Sequence, residues 1–341
     1  MTASSKNQLA YFQVSTPSNI AFIKYWGKKD LPSTTDENKN LPLNPSLSLT
    51  LSKARTTTRF GKLDPTSPTQ KQLQLKMNGL NATEKDVLKV QAHVERILVF
   101  LKIESPAQNF FVDTENNFPM GTGLASSASA FSALTLAVLG YFWGAEKLKQ
   151  ELNSRLESLS ALARRGSGSA CRSLSGPFVL WSDFSAQTLE QKSWKLFDTI
   201  VIFSKTHKRV PSSDGHKSAQ SSPLFPIRLD KIPQRLKDVQ TAINSKDLAL
   251  LGNNLELEAD ELHKIAETGT PSITYAAPET TIFLNALKKI SHRDFYYTLD
   301  AGPNVHLISE RPIEKEIQHL LKSLGLNAEI WSDESGTGPQ F

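Results

Sequence analysis

Apolar side chains alternate with polar ones at Phe12 and Val14, at Ile20 and Phe22, and at Leu47, Leu49 and Leu51, a period of two that predicts strands. The run Thr56 to Phe60 continues that pattern, and Leu73, Leu75 and Met77 repeat it before Asn78-Gly79, a turn signal. The period then lengthens to that of a helix over Val87 to Leu101, Ser127 to Tyr141 and Glu151 to Ala163. Strands return at Phe178 to Trp181 and Thr199 to Phe203. After the polar stretch Thr206 to Ser222, helices are expected at about Leu229 to Ile243, Leu248 to Ala266 and Glu279 to Ile290. Strands at Phe295 to Leu299 and Val305 to Ser309, a helix at Pro312 to Leu324 and a strand at Ala328 to Ser332 follow. Helices and strands mix without regular alternation, which disfavours a doubly wound parallel sheet and predicts an α+β, two-lobed architecture. The lobes divide near residue 190, into 1–190 and 191–341. No internal repeat is visible, and Lys205 to Pro223 reads as a mobile loop rather than a linker.

A chain of 341 residues with 39% hydrophobic content has enough apolar material for a substantial core in one or two domains. The longest apolar stretch, Phe131 to Trp143, is too short and interrupted to cross a bilayer, and Met1 to Gln13 lacks the apolar centre of a signal peptide. A cytoplasmic protein is expected, without a membrane partner. The single cysteine, Cys171, cannot form an internal disulfide, and with no histidine in its motif it reads as a small buried thiol rather than a nucleophile. A formal charge of +5 and a pI near 9.1 invite a nucleic-acid reading. Cations and acids are nevertheless interleaved, leaving Lys205, His207, Lys208 and Arg209 as the clear basic cluster and Arg164 and Arg165 as a lesser pair. Most of these read as solvated surface, so no nucleic-acid partner is expected. The seven histidines are scattered and no His/Cys set has metal-ligand spacing, so no protein-held metal is expected.

The candidate chemistry lies in four blocks. Residues 117 to 130, Asn-Phe-Pro-Met-Gly-Thr-Gly-Leu-Ala-Ser-Ser-Ala-Ser-Ala, are small residues ending at a predicted helix N-terminus. Gly121 and Gly123 allow close backbone approach, while Ser126 and Ser127 offer hydroxyls and amides where the helix dipole is positive, a seat for phosphate. No Gly-Lys-Ser/Thr follows, so this is not a P-loop, and such a run can equally be a plain helix start. The block Ser18-Asn19-Ile20-Ala21-Phe22-Ile23-Lys24-Tyr25-Trp26-Gly27-Lys28 sets two lysines about an apolar strand. A third, from Ala163 to Gly176, contains Gly166-Ser167-Gly168-Ser169-Ala170-Cys171-Arg172-Ser173. The fourth, Leu299-Asp300-Ala301-Gly302-Pro303-Asn304, puts an acid at a strand end. Read singly, Asp300 can be a turn acid, Arg172 a surface ion-pair partner, and Lys24 and Lys28 solvated flanks.

Together and in their order along the chain, with Leu41-Pro42-Leu43-Asn44-Pro45-Ser46 between the blocks at 18–28 and 117–130, they resemble the diphosphomevalonate decarboxylases of the GHMP kinase superfamily over almost the whole chain. The resemblance implies an N-terminal ribosomal-protein-like α/β lobe, a C-terminal ferredoxin-like lobe and an active site between them. It implies ATP and Mg²⁺ as cofactors, mevalonate 5-diphosphate as the small-molecule substrate, and phosphorylation of the 3-hydroxyl followed by loss of phosphate and CO₂. It also implies a homodimer. By the same resemblance Asp300 acts on the hydroxyl, Arg172 grips the substrate carboxylate, and Lys24 completes the catalytic set. Asn19, Tyr25, Lys28, Ser167, Ser169, Ser212 and Ser213 would contact substrate, while residues 121 and 123–127 would cradle the nucleotide phosphates.

The chain departs from the family pattern in three places. Met120-Gly121-Thr122 stands within the loop where Thr-Ala-Ala is usual, and His216 stands where methionine is usual. The arginine that often holds the distal phosphate lacks a counterpart after Asn78-Gly79, where Lys85 or Lys89 can substitute. His216 is expected to be an exposed loop residue, or else an added cation at lower pH. A substrate bearing a monophosphate, or a reaction that stops at phosphotransfer, is the alternative.

Overall fold

The computed structural model describes residues 11–29, 36–63, 73–119, 124–190, 194–205 and 212–341. Two antiparallel strands dominate the first lobe: β1 (Tyr11–Ile23) and β2 (Ser46–Lys62) pair from Tyr11↔Gly61 to Ile23↔Leu47. Each merges two runs that the hydrophobic pattern separates. In β1 the register shifts between Pro17 and Asn19, where proline has no N–H to give the ladder.

The remaining strands build on β2. Its second half pairs with β5 (Phe110–Asn116) and its first half with β6 (Phe178–Ser182). Short strands β3 (Gln74–Met77), β4 (Leu80–Asn81) and β7 (Ser185–Thr188) complete the order β4-β3-β5-β2-β6-β7, with β1 against β2. Three helices cover this sheet: α1 (Glu84–Leu101), α2 (Ser126–Trp143) and α3 (Ala145–Gly166). Thr83 starts α1 as its N-cap, accepting the Asp86 N–H. Among the described helices α2 alone is long and apolar enough to cross a membrane, but two thirds of it is buried, which makes it the central core helix. Gly140 lets it approach β1, since a Cβ there would stand 2.2 Å from the Phe12 ring.

The second lobe is a four-stranded antiparallel sheet of β8 (Phe197–Ile202), β9 (Phe295–Thr298), β10 (Val305–Ser309) and β11 (Glu329–Glu334), ordered β11-β8-β10-β9. With it come α4 (Ser212–Gln220), α5 (Leu224–Ser245), α6 (Leu248–Thr268), α7 (Pro278–Leu287) and α8 (Glu314–Ser323). The α+β expectation holds. The mobile-loop expectation for 205–223 does not, because α4 occupies its second half. Residues 206–211, with His207, Lys208 and Arg209 of the basic cluster, lie outside the described residues, and Lys205 forms an ion pair with Glu329.

Where the lobes meet, Ile20, Phe22 and Leu49 from the first share a core with Ile200, Ile232 and Leu255 from the second. Across this seam the buried Asp333 carboxylate on β11 accepts the N–H groups of Ser52, Lys53 and Ala54 at 3.0, 2.8 and 2.7 Å. Three amides that no β-ladder serves are thereby satisfied by one charge. The chain end also returns to the first sheet, with Gly336 donating to the Thr50 carbonyl and Ser15 exchanging two backbone bonds with Gln340.

Candidate active site

A cavity of about 720 Å³ opens between the lobes, reached by the end of β1, one face of α1, the start of α2, the 3-10 turn Gly168–Ser173 and the loop after β9. Its floor holds Lys24, Asp300 and Arg172 together. Lys24 follows the last residue of β1, and its buried ammonium donates to Asp300 Oδ1 at 2.9 Å and to the Ala21 carbonyl at 2.8 Å. Asp300, one quarter exposed, leaves β9 just before a tight turn closed by the Gly302 N–H on its own carbonyl. His263 on α6 sits 3.2 Å from that carbonyl, and burial pushes its imidazole down to about 4.

Arg172 is buried, and its guanidinium is held by neutral groups. Asn19 Oδ1 accepts from Nε at 3.3 Å and from NH2 at 3.2 Å, and Ser46 Oγ accepts from NH1. Asn19 is fixed in turn by donating to Ser173 Oγ at 2.8 Å, and the Trp181 ring lies 5.8 Å from the guanidinium carbon. Burial draws Arg172 below its usual value, opposed by Cys171, Asp300 and Tyr25. Arginine stays charged even so. Among the described residues no carboxylate forms an ion pair with it, so a dry, preoriented cation faces a cavity large enough for an acid ligand.

The phosphate-seat residues surround this floor. Leu124, Ala125, Ser126 and Ser127 line the cavity, and Ala125 ends the loop as an N-cap without a side-chain bond, so the first-turn amides of α2 have no side-chain cap. Gly121 and Gly123 lie outside the described residues. Ser167 and Ser169 line the facing wall. Gly168 between them is required by close approach, since a Cβ would come within 2.6 Å of the Tyr25 ring. Tyr25 is largely buried, which holds its phenol well above the usual value, and its hydroxyl stands 3.4 Å from the Asn40 carbonyl.

Lys28 reaches Asn40 Oδ1 at 2.9 Å, and burial, reinforced by Lys89, Lys217 and Lys39, lowers its proton affinity. Lys85 and Lys89, the possible stand-ins for the family arginine, both line the cavity on α1. Sequence reasoning missed Lys39, Asn40, Arg96 and Arg165, which line it too. A signal existed for one of them: Lys85, Lys89, Ala92 and Arg96 recur at helical spacing and so share a face of α1.

Other expectations need correction. His216 is neither exposed nor a cation. It lies on α4, with its ring centroid 4.4 Å from that of Tyr25 and 4.9 Å from that of Trp26, and its Nδ1 accepts the Gly27 N–H at 3.0 Å. Burial and the Lys28 charge push it down to about 3, so it is neutral. Arg164 is not solvated surface but a buried brace, donating to the carbonyls of Phe184, Glu37 and Lys39. Cys171 is buried as expected, its thiol pushed up to about 12 by burial. Asn19 is not among the residues lining the cavity; it stands behind Arg172. Ser212 and Ser213 open α4.

Two family models match the chain. A diphosphomevalonate decarboxylase-like N-terminal domain covers residues 16–193, and a mevalonate 5-diphosphate decarboxylase C-terminal domain covers 199–336. The diphosphomevalonate decarboxylase of Candida albicans is 31% identical over 329 residues, spanning 90% of this chain and 86% of that protein. The crystal structure of mevalonate diphosphate decarboxylase from Staphylococcus aureus superposes with a TM-score of 0.83 at 30% identity, covering 97% of both chains. A structure of MDDEF in complex with MVAPP, AMPPCP and magnesium superposes with a TM-score of 0.80 at 29% identity, covering 97% of this chain and 98% of that one.

Proposed function

The chain belongs to the diphosphomevalonate decarboxylase family, and on that premise we propose how its own residues carry out ATP-dependent decarboxylation of mevalonate 5-diphosphate to isopentenyl diphosphate. The observation that carries the reading is the floor of the cavity: a carboxylate ion-paired to a buried lysine stands in the same space as a buried arginine held by neutral partners.

Asp300 takes or orients the proton of the substrate's 3-hydroxyl, and the ammonium of Lys24, 2.9 Å from Oδ1, keeps that carboxylate aimed. Arg172 holds the substrate carboxylate through parallel N–H donors, in line with its fixed plane and its dry surroundings. Ser167 and Ser169 flank that carboxylate. Tyr25 and Lys28 take the diphosphate end, the resemblance adds Ser212 and Ser213 as substrate contacts, and Asn19 contributes by orienting Arg172. The uncapped start of α2, with Ser126 and Ser127, fits nucleotide phosphates. The resemblance adds Gly121 and Gly123, which lie outside the described residues, to the phosphate-binding set.

The described residues contain no group of three or more His, Cys, Asp or Glu able to hold a metal, whereas hydroxyl and carboxylate oxygens are present. That donor set suits Mg²⁺ arriving with the nucleotide, as in the relative bound to AMPPCP and magnesium. ATP with Mg²⁺ supplies the phosphoryl group that turns the tertiary hydroxyl into a leaving group. The lobes are assigned to 1–190 and 191–341, a division supported by the two family models. A homodimer is implied by the resemblance, and a cytoplasmic location with neither nucleic acid nor membrane as partner follows from the sequence reading; sedimentation and cell fractionation test them.

The test is a coupled assay of the purified protein with ATP and mevalonate, its 5-phosphate or its 5-diphosphate, following ADP and CO₂ separately. ADP and CO₂ in equal amounts from the 5-diphosphate are expected. ADP without CO₂ would leave a phosphotransferase, and turnover of the 5-phosphate alone would reassign the substrate.

A further inference from the structure

Lys24 is the first residue after β1, so its backbone has left the sheet while its side chain must still meet Asp300. Both of its peptide groups are held from the second lobe. Its N–H donates to Glu258 Oε2 on α6 at 2.9 Å, and its carbonyl accepts from Arg228 NH2 on α5 at 3.0 Å. The same NH2 group donates to Glu258 Oε2 at 2.8 Å, while Arg228 NH1 donates to Asn44 Oδ1 at 3.2 Å. Asn44 Nδ2 returns a bond to the Lys24 carbonyl at 3.0 Å. Arg228 and Glu258 have side chains 1% and 0% exposed. Neither lines the cavity.

We propose that the buried Arg228–Glu258 pair is a positioning device for the reaction, one that fixes the Lys24 ammonium against Asp300 by gripping residue 24 through its main chain. The inference rests on the catalytic reading of Lys24 and Asp300 given above. A buried ion pair is weak evidence of stabilisation, because desolvating both charges offsets much of their attraction. It is, however, a rigid place to anchor a neighbour. An arginine fork can serve three acceptors in fixed directions, here a backbone carbonyl, an amide oxygen and a carboxylate. Since α5 and α6 belong to the second lobe and β1 to the first, the same contacts tie the packing of the lobes to the geometry of the floor.

The neighbouring arginine provides an internal control. Arg235 on α5 also binds Glu258, and it binds Glu261 at 2.7 Å, but its hydrogen bonds go to these carboxylates and not to the main chain of residue 24. Arg228→Lys and Arg235→Lys each keep one positive charge beside Glu258, which limits the risk of unfolding. Arg228→Lys loses the fork on Lys24 and Asn44, whereas Arg235→Lys loses only contacts within the ion cluster.

Both variants and Lys24→Met are to be compared for kcat, KM for each substrate, and melting temperature. The expected outcome is a kcat lower by about tenfold or more in Arg228→Lys with the KM for ATP within about twofold, because a small misplacement of a reacting group costs rate before it costs binding. Arg235→Lys should stay within about twofold of the parent in kcat on the same reasoning, even if its melting temperature falls as far. Equal kcat losses in the two arginine variants, or losses that track melting temperature, overturn the positioning role while a collapse in Lys24→Met leaves the catalytic reading standing. Retained activity in Lys24→Met overturns that reading, and the positioning role with it.

Discussion

The floor and the mouth of the cavity are both cationic, but they hold their charges in opposite ways. On the floor Lys24 and Arg172 are buried, and each is fixed by at least two acceptors from its own chain. At the mouth Lys28, Lys39, Lys85, Lys89, Arg96 and Arg165 gather from α1, from loops and from the end of α3, with fewer restraints. Those restraints are mostly peripheral: Arg96 pairs with a half-exposed Asp36 at 2.7 Å, and Arg165 stands 3.9 Å from an exposed Glu37 carboxylate. A buried, multiply held charge acts through position, since moving it leaves partners unsatisfied. A cluster of solvated charges acts through its summed field, which survives the loss of any one member. Position selects the reacting atoms, and field gathers the polyanions.

The largest effects should come from the floor. Asp300→Ala is expected to lower kcat by about 10² to 10⁴, the usual contribution of a positioned acid or base, with nucleotide affinity nearly unchanged. Nucleotide titration followed by single-turnover kinetics separates the two, and turnover within tenfold of the parent would remove Asp300 from the catalytic set. Arg172→Lys keeps the charge and loses the two-pronged donor, with an expected loss of about 10² in kcat/KM through misplacement of the carboxylate. If lysine served as well, charge alone would suffice there and the floor would behave like the mouth.

The same contrast explains what could be read from the sequence. The floor lies in short stretches where residue types are unusual for their surroundings: an arginine within Gly-Ser-Gly-Ser-Ala-Cys-Arg-Ser, and an acid between an apolar strand and Ala-Gly-Pro. Lysines and arginines of the mouth look like any solvated surface, and Lys39, Asn40 and Arg165 meet only through tertiary structure. His216 misled for that reason too. Its helix is short and polar, and the ring is buried by Tyr25 and Trp26, almost two hundred positions earlier in the chain (|i−j| = 189 for its bond to Gly27). The polar Ser52-Lys53 step, which the hydrophobic pattern suggests ends a strand, stays extended because Asp333, some 280 positions later, takes the amides there. Local periodicity carries no trace of such a partner.

Single substitutions at the mouth should act weakly and on binding. Lys89→Gln or Arg96→Gln is expected to raise the KM of the phosphorylated substrates by at most about fivefold, the range of a partly solvated charge interaction, with kcat unchanged. The double variant should lose more, and both losses should shrink as salt rises from 0.05 to about 0.5 M, where the Debye length falls to a few ångströms. A kcat effect that persists at high salt would place one of these cations among the positioned groups.

His216 marks the border between the two regions and gives the smallest effect, on stability. Its imidazole is buried and pushed down to about 3, against an unfolded value near 6.5. Between those values the unfolded chain binds a proton that the folded chain does not, so stability rises with pH, is fully present above about 6.5, and is lost as pH falls toward the folded value. His93, also buried and pushed down to about 3, and His263, pushed down to about 4, add in the same direction. Each contributes a slope of at most about 1.4 kcal/mol per pH unit within that window. His216→Gln, whose amide oxygen can still accept the Gly27 N–H, should remove one such slope between pH 6 and pH 4.5 in urea-unfolding experiments, leaving those of His93 and His263. The KM values at pH 7.5 should stay within about twofold, since a neutral side chain replaces a neutral one and contributes nothing to the field. An unchanged pH slope would mean that His216 is protonated in the folded protein after all, and would move it from the dry floor to the charged mouth.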